Sequence, residues 1–462
     1  MTSTSFGNHG FGIPFSPVGR ARQRLGLFIY TIATTACSCH RPPVQRKALP
    51  FPIGRTELVI MMASLMSLNA LAIDIMLPAL GLISDDFSLP SVNDRQWTIT
   101  SYIYGMAIGS ILYGSLADRY GRKPVLLVTI SIYTIFAILC ALAWDYQLLL
   151  IGRFIQGLAA SAMGVLANSI IRDRYDGDAM ARSMSTIMMV FMIVPITAPL
   201  VGQMVLHVAP WKAIFLVLAT AGLATFLWVS SRLPETLHPD DKTPIRFKSV
   251  ASAWYNVIFN RNSFGHVIAS GLMMAPLFAY IASAQQIFFD IFDAGDIFAF
   301  IFALSAGAMS IASFTNSRIV MRFGARRVSQ SALIFFIFVS IVHFILAEAD
   351  MLNLWSFTAV LVPSMAMVGF TGANFSSIAM QPFGKTAGVA SSFQNFSRSG
   401  LSAMIGAAIG LQFDGTVLPL ATGFMVCGIA SLAFVFWAEE GKLFRRVQIG
   451  VTRDKLAKLD DL

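Results

Sequence analysis

The chain has 462 residues, 56% of them hydrophobic and 12% charged. A soluble domain carries about 25% charged residues, so this composition excludes an ordinary water-soluble fold. The formal net charge of +9 is distributed by membrane side, as set out below, and is not a nucleic-acid footprint; the four cysteines (Cys37, Cys39, Cys140, Cys427) give no disulfide framework, and the six histidines show no metal-ligand spacing.

Residues 1–55 read as an N-terminal extension. Within it, 25–39 (LGLFIYTIATTACSC) is apolar but too short to cross a bilayer, and it lies between basic stretches. A cleaved signal peptide would start the next helix outside, against the charge distribution, so a disordered or interfacial extension is the better expectation. Beyond it, apolar runs recur at the length that crosses about 30 Å of hydrocarbon at about 1.5 Å per residue. They predict helices at roughly 57–83, 97–117, 124–143, 147–171, 182–206, 211–231, 264–288, 297–320, 328–347, 353–379, 387–411 and 417–438, with ends uncertain by a few residues. The polar, Pro-containing, basic stretch 233–262 is the one long connection. It separates a six-helix N-terminal bundle (56–232) from a six-helix C-terminal bundle (263–438), and 439–462 forms a tail. The predicted fold is an all-α membrane protein of twelve transmembrane helices in two pseudo-symmetric halves.

Lys and Arg placement sets the orientation. With both termini cytoplasmic, all 33 basic residues fall inside except Arg95 and Lys212, which are outside, and Arg153 and Arg398, which lie within spans. The outer loops hold acids instead: Asp85, Asp86, Asp94, Asp145, Asp293, Asp296 and Asp350.

Several positions carry chemistry. Asp74, in NALAIDIMLPAL of the first span, is the only acid in the interior of the first half. The loop after the second span runs from Gly114 through Asp118, Arg119, Tyr120, Gly121, Arg122 and Lys123 to Pro124. General basicity of an inner loop accounts for its cations, but not for Asp118 among them or for the Gly and Pro that end one helix and restart another. The loop after the eighth span repeats Arg-aromatic-Gly (Arg322, Phe323, Gly324), with Met321 where the first has Asp118. Six plus six helices with a parallel repeat is an architecture in which the halves rock about a central site. Arg153, in IGRFIQG of the fourth span, is a costly intramembrane charge and a functional candidate by default; a structural buried ion pair is the alternative. Depth permits Asp74 and Arg153 to pair or share a proton, since desolvation favours a neutral carboxyl and a nearby cation an ionised one. The fifth span carries Pro195, Pro199 and Gly202, which bend a membrane helix and allow close approach. In the second half Gln285, Gln286, Asn374, Gln394, Asn395 and Arg398 are polar groups in apolar spans. They suit either a cavity with a few polar anchors or helix–helix hydrogen bonding.

The loop pattern G-x-L-A-D-R-x-G-R-K resembles the signature of the major facilitator superfamily, and R-F-I-Q-G resembles its fourth-helix motif. The resemblance implies that Asp118 and the loop arginines latch the halves on the cytoplasmic side when the cavity opens outward, and that Arg153 takes part in proton coupling. Pro195–Gln203 is similar to the antiporter motif of exporters, with Ala198 and Gln203 replacing two of its glycines. D-I-M-L-P-A-L, W-K-A-I-F with S-S-R-L-P-E-T-L, and L-F-A-Y-I-A-S-A together resemble the bicyclomycin/chloramphenicol-resistance (Bcr/CflA) branch of the twelve-helix drug:proton antiporters, over roughly residues 56–440. The resemblance implies a monomeric multidrug exporter in the bacterial inner membrane, driven by protons and needing no cofactor. A transporter of a metabolite is the alternative. A membrane enzyme or receptor is a remote one, because no cluster of catalytic side chains lies at membrane depth.

Overall fold

The computed structural model describes residues 53–175, 177–238, 254–383 and 387–445. Most of the predicted extension, the centre of the long connection and the tail beyond 445 lie outside the described residues. Phe51–Leu462 form one compact unit, and the regular structure described in it is helical.

The first six spans are α1 (Arg55–Asp74) continued by α2 (Leu80–Asp86), then α3 (Trp97–Tyr120), α4 (Arg122–Ala141), α5 (Tyr146–Arg174), α6 (Gly177–Phe191) continued by α7 (Ile193–Val208), and α8 (Lys212–Arg232). The last six are α9 (Arg261–Gln285), α10 (Gly295–Phe323), α11 (Ala325–Glu348), α12 (Leu354–Met380), α13 (Ala387–Gly410) and α14 (Leu418–Ala438).

Two predicted spans are not the continuous helices expected. The first breaks after Asp74, and a 3₁₀ turn (Leu77–Ala79) joins α1 to α2. Pro78 is the cause: it has no N–H to return to the Asp74 carbonyl four residues earlier, and its ring crowds that turn. The fifth breaks at Met192, between α6 and α7. The seventh runs past its predicted end as a π-helical turn, Gln286–Ile291.

Packing repeats between the halves. In the first, α3 and α4 pack on α5, α4 packs on α8, and α1 packs on α5 and α8; in the second, α10 and α11 pack on α12, α11 packs on α14, and α9 packs on α12 and α14. Across the halves, α3 packs on α13 and α7 on α10. Among the described residues ten segments are long and apolar enough to cross a bilayer. The other two spans, α3 and α13, have 24 residues each, long enough but less apolar. They lie against each other, so part of their surface faces a helix and not lipid.

Candidate functional site

A cavity of about 270 Å³ lies between the halves. α1 contributes Asn69, Ile73 and Asp74, α3 Met106, and the fifth span Phe191 and Pro195, while α9, α10 and α12 supply Met274, Phe278, Tyr280, Phe302, Met309 and Met365. Asp74 is the acid in this lining, and it is buried. It ends α1 at the Pro78 break, which places its carboxyl at the one irregular turn of the span. Gly202 of α7 packs against that break: an added Cβ would overlap the Ile75 carbonyl and press on Pro78. The fifth-span glycine therefore fits the helix to the acid-bearing turn, and Pro195 reaches the cavity itself. Pro199 is buried inside α7.

Arg153 is fully buried and does not meet Asp74. Its Nε donates to the Thr98 carbonyl (3.0 Å), Nη2 to the Ala72 carbonyl (2.9 Å) and Nη1 to Gln156 Oε1 (2.9 Å). Its guanidinium lies 4.4 Å from the Tyr102 ring centroid. This geometry depends on close approach of α3 and α5, where a Cβ on Gly105 would overlap the Phe154 carbonyl and one on Gly157 the Tyr102 carbonyl. The arginine ties α1, α3 and α5 together two residues before Asp74. No hydrogen bond or ion pair to Asp74 is made by the described residues, so the two groups, whose depth permits a pair, are instead linked through the backbone at Ala72.

The predicted latch lies at the far end of α3. Arg122 donates to Asp118 Oδ1 (2.5 Å) and Asp173 Oδ2 (3.0 Å). Glu235 accepts from the backbone N–H groups of Arg122 (3.0 Å) and Lys123 (3.2 Å), capping α4. Gly121 makes the turn at φ 109°, and Arg119 stacks over Tyr120 at 5.2 Å. Gly114 brings α3 to α13, where an added Cβ would stand 3.7 Å from Ser392 Oγ.

None of the six second-half polar residues lines this cavity. Gln286 accepts from Gln96 Nε2 (2.5 Å) and donates to Asn93 Oδ1 (2.8 Å) and the Val92 carbonyl (3.1 Å) at the Arg95 end of the bundle. Gln285, beside it, is buried with its Oε1 unpartnered and lies near Gly81. Asn374 exchanges hydrogen bonds with Asn316 of α10 (2.8 Å). On α13, Gln394 is buried, Asn395 is exposed and Arg398 is half-buried.

Sequence reading missed the cluster that closes the Arg95 end. Arg95 pairs with Asp290 across the halves, Asn93 Nδ2 donates to the Leu411 and Phe413 carbonyls (2.9 Å each), Gln96 Nε2 donates to the Gly410 carbonyl (2.8 Å), and Gln203 Nε2 to the Gly295 carbonyl (2.8 Å). Two signals were present: Arg95 is one of two basic residues assigned outside, and Gln203 occupies a motif position held elsewhere by glycine.

The Major Facilitator Superfamily model matches residues 62–407. The chain is 27% identical to a bicyclomycin resistance protein homolog of Haemophilus influenzae, over 82% of this chain and 95% of that protein. It is 28% identical to the multidrug resistance protein MdtL of Escherichia coli, over 74% of this chain and 85% of that one. Its fold is similar to a D-xylose–proton symporter at TM-score 0.67 and 12% identity (84% and 98% covered). It is also similar to a bacterial homolog of the lysosomal transporter Spinster, inward-facing and occupied, at TM-score 0.62 and 16% identity (87% and 100% covered). The family model spans both helical halves, and the chain, a multi-pass membrane protein, belongs to the Major Facilitator Superfamily.

Proposed function

We propose that this protein is a proton-coupled exporter of small, mostly apolar compounds that works by alternating access in the bacterial inner membrane, as a monomer with both termini cytoplasmic. The observation that carries the reading is Asp74: a buried carboxyl with no partner among the described residues, at a helix break, on the wall of an apolar cavity between the halves. An ionised carboxylate there must be solvated or paired, whereas a neutral one rests in apolar surroundings at far lower cost. Loading and unloading one proton therefore changes which conformation the cavity favours. The names of the Haemophilus influenzae and Escherichia coli relatives support a drug-like substrate. The lining of Met, Phe, Ile and Pro fits such a molecule better than a sugar, which needs many polar partners.

In this orientation the Arg95 end faces outward. Its cross-half hydrogen bonds and ion pair hold the outer side shut, and the halves (56–232 and 263–438) rock apart there to release substrate. The Asp118 loop is the inner counterpart, and Arg153 holds the Asp74 helix in register. The test is proton-driven efflux in inverted vesicles. Asp74→Asn is expected to abolish uphill transport at normal expression while leaving drug binding, because an amide cannot exchange the proton but still offers a polar partner. Full uphill transport by Asp74→Asn would move the coupling role elsewhere.

A further inference from the structure

A groove of about 710 Å³ lies at the inner end of the second half, lined by residues other than those of the central cavity. It runs between α10 and α11, which pack on α12 far more than on each other. Phe323, Phe335, Met367 and Phe370 give it an apolar wall. Phe323 and Phe335 are both exposed, and α11 packs chiefly on helices of its own half, so this face meets lipid. Arg327, in the first turn of α11, is the charged residue of the lining. Its Nε donates to the Phe444 carbonyl (3.0 Å). That bond commits one of five N–H groups and holds an otherwise exposed guanidinium at the mouth of the groove. Phe335 stands about 12 Å further along α11, at about 1.5 Å per residue. This is most of the depth of one leaflet, which is half of about 30 Å.

Lipid fills any apolar groove on such a surface; the cation at the mouth decides which lipid. Anionic headgroups are drawn to cations on the cytoplasmic side, and a planar guanidinium holds a phosphate through paired hydrogen bonds. Neighbouring charges agree in sign. Arg322, Lys442 and Arg445 are exposed beside the lining residues Phe323 and Phe444 and outnumber the exposed Glu440. Glu439 is taken up by Arg326, and the lining itself contains no acid. We propose that the groove is a binding site for an anionic phospholipid of the inner leaflet, with one acyl chain along α10 and α11 and the phosphate on Arg327; this rests on the orientation of the exporter reading and not on its substrate. The acyl chain then fills the space between two helices that touch little directly, and the headgroup lies where Phe444 caps the groove.

The test uses the full chain in phosphatidylcholine bilayer discs doped with phosphatidylglycerol or phosphatidylcholine whose acyl chain carries a photoreactive diazirine. Labelled peptides are mapped after illumination. In wild type, phosphatidylglycerol is expected to label the α11 and α12 walls about fivefold more than phosphatidylcholine does, the worth of one cation at an anionic headgroup. Arg327→Ala should bring the phosphatidylglycerol label down to the phosphatidylcholine level, and Arg327→Lys should keep most of the preference. Ser331→Trp, at an exposed position of the lining, fills the groove and should remove both labels there. Glycerol 3-phosphate, which has no acyl chain, should not compete. Equal labelling by the two lipids in wild type, an unchanged preference in Arg327→Ala, unchanged label in Ser331→Trp or full competition by glycerol 3-phosphate would each overturn the proposal. So would a groove that takes label only after the chain is cut at Arg445, since 446–462 would then be its occupant. Failure of the exporter reading shows separately, as wild-type vesicles that extrude no lipophilic compound when energised while the lipid labelling is intact.

Discussion

The loops after the second and the eighth span use one device with different acids. In both, a glycine in a conformation closed to other residues turns the chain: Gly121 at φ 109°, ψ 156° and Gly324 at φ 86°, ψ 148°. In both, a buried arginine next to the turn is held by the ends of other spans of its half. Arg122 reaches Asp173 at the end of α5 (3.0 Å), and Arg326 reaches Gln381 just past α12 (3.1 Å). Each half closes with a glutamate after its last span, and here they diverge. Glu439 spends its carboxylate on the Arg326 guanidinium (2.5 Å), with His266 Nε2 at 3.6 Å. Glu235 spends its own on backbone N–H groups, and Arg122 turns instead to Asp118. The second anchor is neutralised and closed. The first has a second acid on its arginine, Asp118, which is 46% exposed.

Removing the glutamates separates the two anchors most sharply. Glu439→Ala strands a buried guanidinium, and breaking such a pair costs about 3–5 kcal/mol; it should collapse thermal stability in detergent and the yield of folded protein. Glu235→Ala removes a cap, worth about 0.5–2 kcal/mol, and should leave a measurable but milder melting shift. Equal losses would mean that both glutamates serve as counter-ions.

The glycines make a finer comparison. Both lie in a region essentially reserved for glycine, where another residue costs about 1–3 kcal/mol. A Cβ on Gly324 would meet nothing within 4 Å, whereas one on Gly121 would overlap the Glu235 carboxylate. Gly121→Ala should therefore lower the melting temperature more than Gly324→Ala, and Glu235→Ala should narrow the gap between them. A larger loss at Gly324 would contradict this geometry.

The sequence exposed both turns, since Arg-aromatic-Gly recurs at the same place in each half, and it singled out Asp74 as the acid inside the first half, though the six residues it offered for a cavity lie elsewhere. It could not show that Arg153 would be satisfied by carbonyls, because every segment carries those acceptors and only the close approach allowed by Gly105 and Gly157 brings Thr98 and Ala72 within reach. Gln286 was visible as a polar residue near the end of an apolar run, but whether such a residue faces a cavity or seals an end depends on a depth of one turn, finer than span boundaries can be read. The Pro78 break needed no structure to foresee, and reading 57–83 as continuous overlooked it.

The smallest expected effect on stability bears most directly on transport. Asp118→Asn removes a half-exposed partner from an arginine that keeps Asp173, so stability should change by less than about 1 kcal/mol. Flux should fall by up to about fivefold, because a carboxylate gains about 0.3–1 kcal/mol at a helix N-terminus, and Asp118 sits one turn beyond Gly114, where α3 meets the start of α13. The converse change, Met321→Asp, adds an acid to the second loop at a side chain that is 85% exposed. It should fold normally and leave flux unchanged, because the residue one turn on is Ala325, where the first loop has Arg122 to hold the acid in place. Both variants can be read in the same inverted vesicles, with flux normalised to the amount of inserted protein. Undiminished flux in Asp118→Asn would make the two loops equivalent anchors, and a flux change in Met321→Asp would show that an acid alone is enough to make a latch.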